Sequence, residues 1–171
     1  MSITLGLPND LETWDKLQCS VKCHLQTQNI LQWDNIYPTR ESGLRDLQNG
    51  TLYVIKDTER ILACLTIDQE FPEEYHKLTW NLMGPVASCH RLMVAPDQQK
   101  QGFGKQLMSF AETIALQQGC QSIRLDAYAA NVAANALYNS LGYHFVGTLQ
   151  FRTGLFNCYE KSTISNIRLM R

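Results

Sequence analysis

Apolar residues recur every three or four positions at Leu11, Trp14, Leu17, Val21 and Leu25, directly after Pro8-Asn9-Asp10. That spacing predicts an amphipathic helix, with Asp10 as the capping side chain. No period organises the stretch from Trp33 to Tyr37. Pro38-Thr39 then predicts a short helix carrying Leu44 and Leu47, which Asn49-Gly50 ends. The pattern changes at Leu52. Two apolar runs, 52–55 and 61–67, are joined by polar residues 56–60, as in a strand hairpin. Val86 to Val94 is the next strand, entered after Gly84-Pro85 and left at Pro96. Phe103, Leu107, Phe110, Ala111, Ile114 and Ala115 form a second helical stripe, closed by Gly119. Residues 122–127 alternate, with Ile123, Leu125 and Ala127 on one face. Residues 131–141 read as an Ala-rich helix with Gly142 just past its end. Strands at 143–149 and 156–160 follow, separated by a turn containing Gly154. No repeat or composition break interrupts this order, so 1–162 is expected to be a single domain and 163–171 a loose tail. Two strand-to-helix passages late in the chain predict an α/β (α+β) fold with a mixed sheet.

Composition narrows the function classes. Fifteen Lys and Arg face sixteen Asp and Glu in 171 residues, a net charge of -1. A dedicated nucleic-acid binder needs cations to offset many phosphates, so no nucleic-acid partner is expected. At 44% hydrophobic the chain is not disordered by composition. The N-terminus has neither a basic head nor a long apolar stretch, and no run reaches the roughly 18 apolar residues of a membrane span. A cytoplasmic protein without a membrane partner is the expectation. Its six cysteines, at 19, 23, 64, 89, 120 and 158, should then be free thiols, mostly buried. Cys19-x₃-Cys23-His24 puts two thiols on one helix face, but no second ligand pair accompanies them, and no metal is expected.

The stretch from Val94 to Leu107 carries the most chemistry. A strand, a polar loop with Gly102 and Gly104, and a helix follow in order, which gathers free backbone N–H groups and a positive helix end at one point. Glycine lets a main chain approach a phosphate without a Cβ in the way, and Lys100 and Lys105 add charge. A P-loop is excluded, because Gln99 stands where its first Gly would be and Gln106 follows Lys105. A dinucleotide fingerprint is excluded by Leu107, where a third small residue is required.

Gln99-x-x-Gly102-x-Gly104, after Arg91-Leu-Met-Val-Ala-Pro96, resembles the acetyl-CoA pyrophosphate loop of the GNAT superfamily of N-acetyltransferases. Leu125-Asp-Ala, Asn131, Ala136-Leu137-Tyr138 and Leu141-Gly142-Tyr143 are similar to that family's second conserved block. The resemblance covers residues from Val86 to about Glu160, and the earlier helix-helix-hairpin order fits too. It implies a mostly antiparallel, splayed central sheet flanked by helices. It also implies acetyl-CoA as co-substrate, transferred to a primary amine by direct attack in a ternary complex. Leu92, Met93 and Val94 would hold the pantetheine arm as an added strand, with a Val94 N–H on the oxyanion. Gln99, Lys100, Gln101, Gly102, Phe103, Gly104 and Lys105 would hold the pyrophosphate. Asn131 would contact pantetheine or cap the following helix. Tyr138 would protonate the departing CoA thiolate, with packing alone as its other reading.

The base is less determined. Some members of the family carry a glutamate where Ser88 stands here. His90, two residues on and on the same strand face, is the candidate base; Glu70, Glu73, Glu74 or His76 acting through water is the alternative, and an amine arriving partly deprotonated would need none. Cys89 beside His90 points the other way, which disfavours a covalent acetyl-cysteine route. Asp68, Glu70, Glu73 and Glu74 form an acidic run with Phe71, Tyr75 and Trp80 nearby. Glu73, Glu74 and Trp80 are candidate contacts for a cationic acceptor, although a solvated loop would look the same. A non-catalytic acyl-CoA sensor on this fold is the alternative. A homodimer is expected only to the extent that many relatives dimerise.

Overall fold

In the computed structural model the described residues are 1–164, and they fall into two compact units. The first comprises Met1–Ile67 with His90–Met108, and the second Asp68–Cys89 with the chain from Ser109 onward. Residues 165–171, most of the expected tail, lie outside the described residues.

The first unit opens with a short strand, β1 (Ile3–Leu5), which three residues were too few to reveal. Helices α1 (Leu11–Thr27) and α2 (Arg40–Gln48) follow, then β2 (Leu52–Lys56) and β3 (Ile61–Asp68). The strand order is β1-β2-β3-β4, where β4 is Val86–Val94 and its residues from His90 on belong here. β1 pairs antiparallel with β2, and β2 with β3. The predicted α1 stripe is the buried one: Trp14, Leu17 and Val21 pack with Leu47, Leu52, Val54, Ile61, Cys64 and Met93. Gly43 of α2 permits this, since a Cβ there would stand 2.3 Å from Trp14 Cε3. Asp10 does stand at the N-cap of α1, but its carboxylate makes no capping bond. It accepts instead from the Leu7 amide at 2.8 Å and from Lys56 Nζ at 2.8 and 2.9 Å. A lysine ammonium is a stronger partner than a helix amide.

The second unit has the strand order β4-β5-β7-β6. Here β5 is Ser122–Tyr128, β6 is His144–Phe151 and β7 is Gly154–Ser162. β4 and β5 run parallel, with Val86 opposite Ser122 and Ser88 opposite Arg124. The parallel pair needs a crossover, and helix α3 (Phe103–Gln117) lies within it. β7 pairs antiparallel with all seven residues of β5 and with β6. Helix α4 (Val132–Ser140) joins β5 to β6. On the strand faces opposite Ile123 and Leu125, the 69–85 segment contributes Tyr75, Leu78 and Trp80 to an apolar cluster with Leu149, Phe151 and Cys158. Gly147 is small because Leu78 approaches it; a Cβ would come within 2.8 Å of Leu78 Cδ2. Mixed α/β architecture with mostly antiparallel strands is therefore the observed class. The cysteines are all free: four are buried, and Cys19 and Cys23 are exposed.

Candidate active site

In the first unit, β4 leads into the glycine loop. Leu92 and Val94 are half-buried and alternate with Met93 and Ala95, which belong to the core. Arg91 sits in the left-handed region at φ 51, an unusual place for a non-glycine residue in a strand. Such a conformation costs a non-glycine residue about 1–2 kcal/mol. His90, the predicted base, is half-buried beside it.

The loop itself has two left-handed residues, Lys100 at φ 63 and Gly102 at φ 85. Alternating hands turn successive backbone N–H groups toward one side, the arrangement of an anion nest. α3 then starts, and its first internal bond from this end is Gln106 N to Gly102 O at 3.0 Å. The amides of Phe103, Gly104 and Lys105 thus precede the helical ladder, as unpaired donors do at any helix start. A Cβ on Gly102 would meet nothing within 4 Å, so open space lies beside Gly102. The loop fits a pyrophosphate. Gln99, Lys100 and Gln101 are exposed, while Phe103 is buried and anchors the helix start. The turn before it is tied down by an ion pair between Arg60 and Asp97 that uses both carboxylate oxygens.

In the second unit, Asn131 caps α4: its side chain accepts from Ala134 N at 3.1 Å. Tyr138, two turns on, is buried between the rings of Tyr143 and Tyr159, each 5.9 Å away. Burial pushes the Tyr138 phenol up from its usual pKa, and neighbouring Cys89, Asp126 and Tyr159 add to the rise. The phenol therefore stays a proton donor throughout the neutral range. Burial also raises the Cys89 thiol, so that its thiolate is not populated near neutral pH. Ser88 is fully buried, and its hydroxyl finds no partner among the described residues.

Two residues that sequence reasoning passed over organise this region. Asp126, inside the quoted Leu-Asp-Ala motif, lies on the half-buried face of β5 and accepts from the Tyr75 hydroxyl at 2.8 Å. Only its alternation with Leu125 and Ala127 could have marked it. Asn135 is saturated: it donates to the Asn131 and Tyr128 carbonyls at 2.7 and 3.0 Å. It accepts from Tyr159 Oη and Asn157 Nδ2 at 2.7 and 2.8 Å. That single amide fixes α4, and Tyr138 with it, to β5 and β7.

The predicted acceptor residues share one segment. Glu73 is exposed and Glu74 half-buried on a 3-10 turn, Glu73–Lys77, whose Tyr75 points inward. Trp80 donates from Nε1 to the Tyr75 carbonyl at 2.9 Å, and the Arg124 guanidinium lies 4.5 Å from its ring centroid.

The comparisons decide the family. The model of the acetyltransferase (GNAT) family matches residues 16–143, well over half of the chain. The chain belongs to the GNAT family. One relative of this GNAT chain is the N-acetyltransferase YesJ of Bacillus subtilis (strain 168), itself uncharacterised, which is 30% identical over 103 residues. Another is an aminoglycoside N(6')-acetyltransferase type 1 of Acinetobacter genomosp. 13, 28% identical over 101 residues. Each match spans 59% of this chain, and 57% and 66% of the respective relative. Among solved structures, a GNAT acetyltransferase from Streptococcus agalactiae 2603 superposes with a TM-score of 0.81 at 18% identity, covering 94% of both chains. The structure of yncA from Salmonella typhimurium with its cofactor acetyl-CoA gives 0.72 at 14% identity, covering 95% of this GNAT chain and 94% of that one. Those identities speak to the fold alone.

The buried phenols carry a consequence for stability. Tyr75, Tyr138 and Tyr143 all have folded-state pKa values raised above the usual 10, first by burial and then by nearby acidic groups. A raised pKa gives stability that is fully present below the unfolded value and lost as pH rises through the folded one. Melting temperature should therefore stay level as pH approaches about 10 and fall steeply above it. The phenolate absorbance of these three should appear together with loss of near-ultraviolet circular dichroism. Their ionisation in a still-folded protein would contradict this.

Proposed function

We propose that this protein transfers an acetyl group from acetyl-CoA to a primary amine that carries positive charge. The observation that carries the reading is the 99–105 loop: a left-handed nest opening α3, with clear space beside Gly102, in a GNAT chain. The amides of that loop hold the pyrophosphate, with Lys100 and Lys105 adding charge, and the Leu92–Val94 backbone holds the pantetheine arm. The amine lone pair attacks the thioester carbonyl carbon, and the Val94 N–H stabilises the oxyanion. The tetrahedral species collapses, the C–S bond breaks with its electron pair on sulfur, and Tyr138 delivers its proton there. The ammonium proton of the acceptor passes to a base before the attack, and the second nitrogen proton, lost as the amide forms, restores the Tyr138 hydroxyl. Asp126, hydrogen-bonded by Tyr75 and an electrostatic neighbour of Tyr138, is the candidate in the second unit. His90 is the candidate in the first. Buried Cys89 takes no covalent part.

Negative charge supports a cationic acceptor. Asp68, Glu70, Glu73 and Glu74 precede His76 without a Lys or Arg among them, and Asp126 adds a carboxylate from β5. The aminoglycoside acetyltransferase that matches this chain takes its name from a polycationic substrate class. The test is release of free CoA thiol from acetyl-CoA against a panel of amines: polyamines, aminoglycosides, peptide N-termini and lysine peptides. Turnover is expected with at least one cationic member and none with neutral amines. Tight acetyl-CoA binding with no thiol release from any acceptor would mark the protein as a sensor instead.

A further inference from the structure

Arg91 is buried at 8% exposure in the first unit, and each of its three guanidinium nitrogens donates a hydrogen bond. Its Nε donates to Asp46 Oδ2 and its Nη2 to Asp46 Oδ1, both at 2.8 Å. Nη1 donates to the Tyr37 hydroxyl, and the Tyr37 ring centroid lies 5.8 Å from the guanidinium carbon. Asp46, itself only 2% exposed, also accepts from Thr66 Oγ1 at 2.7 Å. Burial alone would lower the Arg91 pKa, but Tyr37 and Asp46 outweigh it and the net direction is upward. The Arg91 carbonyl is engaged as well, by the Cys64 thiol at 3.9 Å. Burial pushes that thiol up to about 12, so it remains a donor.

This clamp acts on the one residue of β4 with positive φ. A glycine would take that conformation freely and would leave it as freely. Arginine takes it only because the surroundings over-determine it. Four residues on, the Ala95 amide is fixed to the Leu62 carbonyl at 2.8 Å. The segment between these two anchors contains Leu92 and Val94, the residues assigned to pantetheine and the oxyanion. Tyr37 is itself preset. Asp34 Oδ1 accepts from the Ile36 and Tyr37 amides at 2.8 and 3.2 Å, and the Asp34 amide donates to the Tyr37 carbonyl at 3.0 Å.

We propose that Asp46 and Tyr37 are positioning residues for acetyl transfer. They grip the Arg91 guanidinium, hold residue 91 in its left-handed conformation, and so set the direction in which β4 presents Leu92 and Val94. A buried ion pair adds little net stability over an apolar replacement of the same shape. What a bidentate fork does supply is fixed geometry. The proposal rests on the reading of β4 as the acetyl-CoA strand.

The experiment measures acetyl-CoA affinity by calorimetry, kcat and KM by thiol release, and melting temperature, on the full chain. Tyr37→Phe removes one hydroxyl from a partly exposed residue and should leave the melting temperature within a degree or so of wild type. It should nevertheless lower kcat/KM for acetyl-CoA by about fivefold, the scale of one typical hydrogen bond. Asp46→Asn should lower it by at least about tenfold. Arg91→Lys, which keeps the charge but loses the fork, should resemble Asp46→Asn. In the Arg91→Lys background, Tyr37→Phe should have no further effect, since both act through the same guanidinium. If wild type binds acetyl-CoA and folded Tyr37→Phe and Arg91→Lys turn over as it does, the clamp is structural only and the proposal falls alone. Failure of wild type to bind acetyl-CoA overturns the proposal together with the assignment of β4.

Discussion

Tyr138→Phe should lower kcat on the order of 10²-fold while leaving acetyl-CoA affinity within about twofold of wild type, as expected when a general acid is removed. The substitution deletes one oxygen and keeps the ring that packs between Tyr143 and Tyr159, so folding should be nearly unchanged. The phenol is suited to the role by its surroundings. Burial and the acidic groups around it raise its pKa, which keeps the proton in place at neutral pH and leaves the hydroxyl a permanent donor. A desolvated CoA thiolate is raised by the same physics, so the proton moves between two groups that burial shifts in the same direction. The two readouts separate acid catalysis from packing. A drop in kcat with unchanged acetyl-CoA affinity and melting temperature belongs to a group that acts as the C–S bond breaks. Equal losses in affinity and stability would make Tyr138 a packing residue. If an acceptor with a lower pKa restores the rate of Tyr138→Phe well beyond any gain it gives wild type, the variant has instead disturbed the base side.

Much of this was legible in the chain because periodicity and glycine chemistry are local. The α1 stripe, the 52–67 hairpin and the Gln99-x-x-Gly102-x-Gly104 loop each declare themselves within about fifteen residues. β1 did not, because three residues carry no period. The Asp10 carboxylate departs from the capping role for a different reason: Lys56, 46 positions away, takes it. Asp126, Asn135 and the Asp46–Arg91 pair stayed hidden on the same principle. A buried polar residue acquires its meaning from partners that sequence spacing does not bring together. Trp80 shows the converse. In sequence it reads as a candidate acceptor contact or a packing residue; one side of its ring is met by Arg124 and its N–H by Tyr75. The hidden part of the candidate site is the part that ties together the elements carrying its candidate residues.

Glu160→Ala should be among the most destabilising single changes in the second unit, at about 3–5 kcal/mol. Glu160 is 1% exposed on β7. Its Oε1 accepts from the Asn81 amide at 2.8 Å and from Asn81 Nδ2 at 2.7 Å, and its Oε2 accepts from the Leu82 amide at 3.4 Å. Arg124, opposite it on β5, reaches Oε2 at 4.0 Å and donates to the Leu82 carbonyl at 2.9 Å. One carboxylate thus closes the end of the segment that carries Glu73, Glu74, Tyr75 and Trp80. Removing it strands two backbone donors and leaves the guanidinium without its counter-charge, and both costs fall on the same few residues. At this chain length the loss corresponds to a melting temperature lower by roughly 10 °C. Glu160→Gln keeps one carbonyl oxygen for Asn81 but turns a donor toward Leu82, so it should cost about half as much. The functional signature is directional. Below its melting transition, Glu160→Ala should raise KM for the acceptor severalfold and leave acetyl-CoA affinity unchanged, because the 99–105 loop belongs to the first unit. Trp80 fluorescence should report the same release, since its contact with Arg124 depends on Glu160 holding both. A variant that loses acetyl-CoA affinity and acceptor KM in proportion would show that Glu160 supports the whole fold and that acceptor recognition does not depend on this segment.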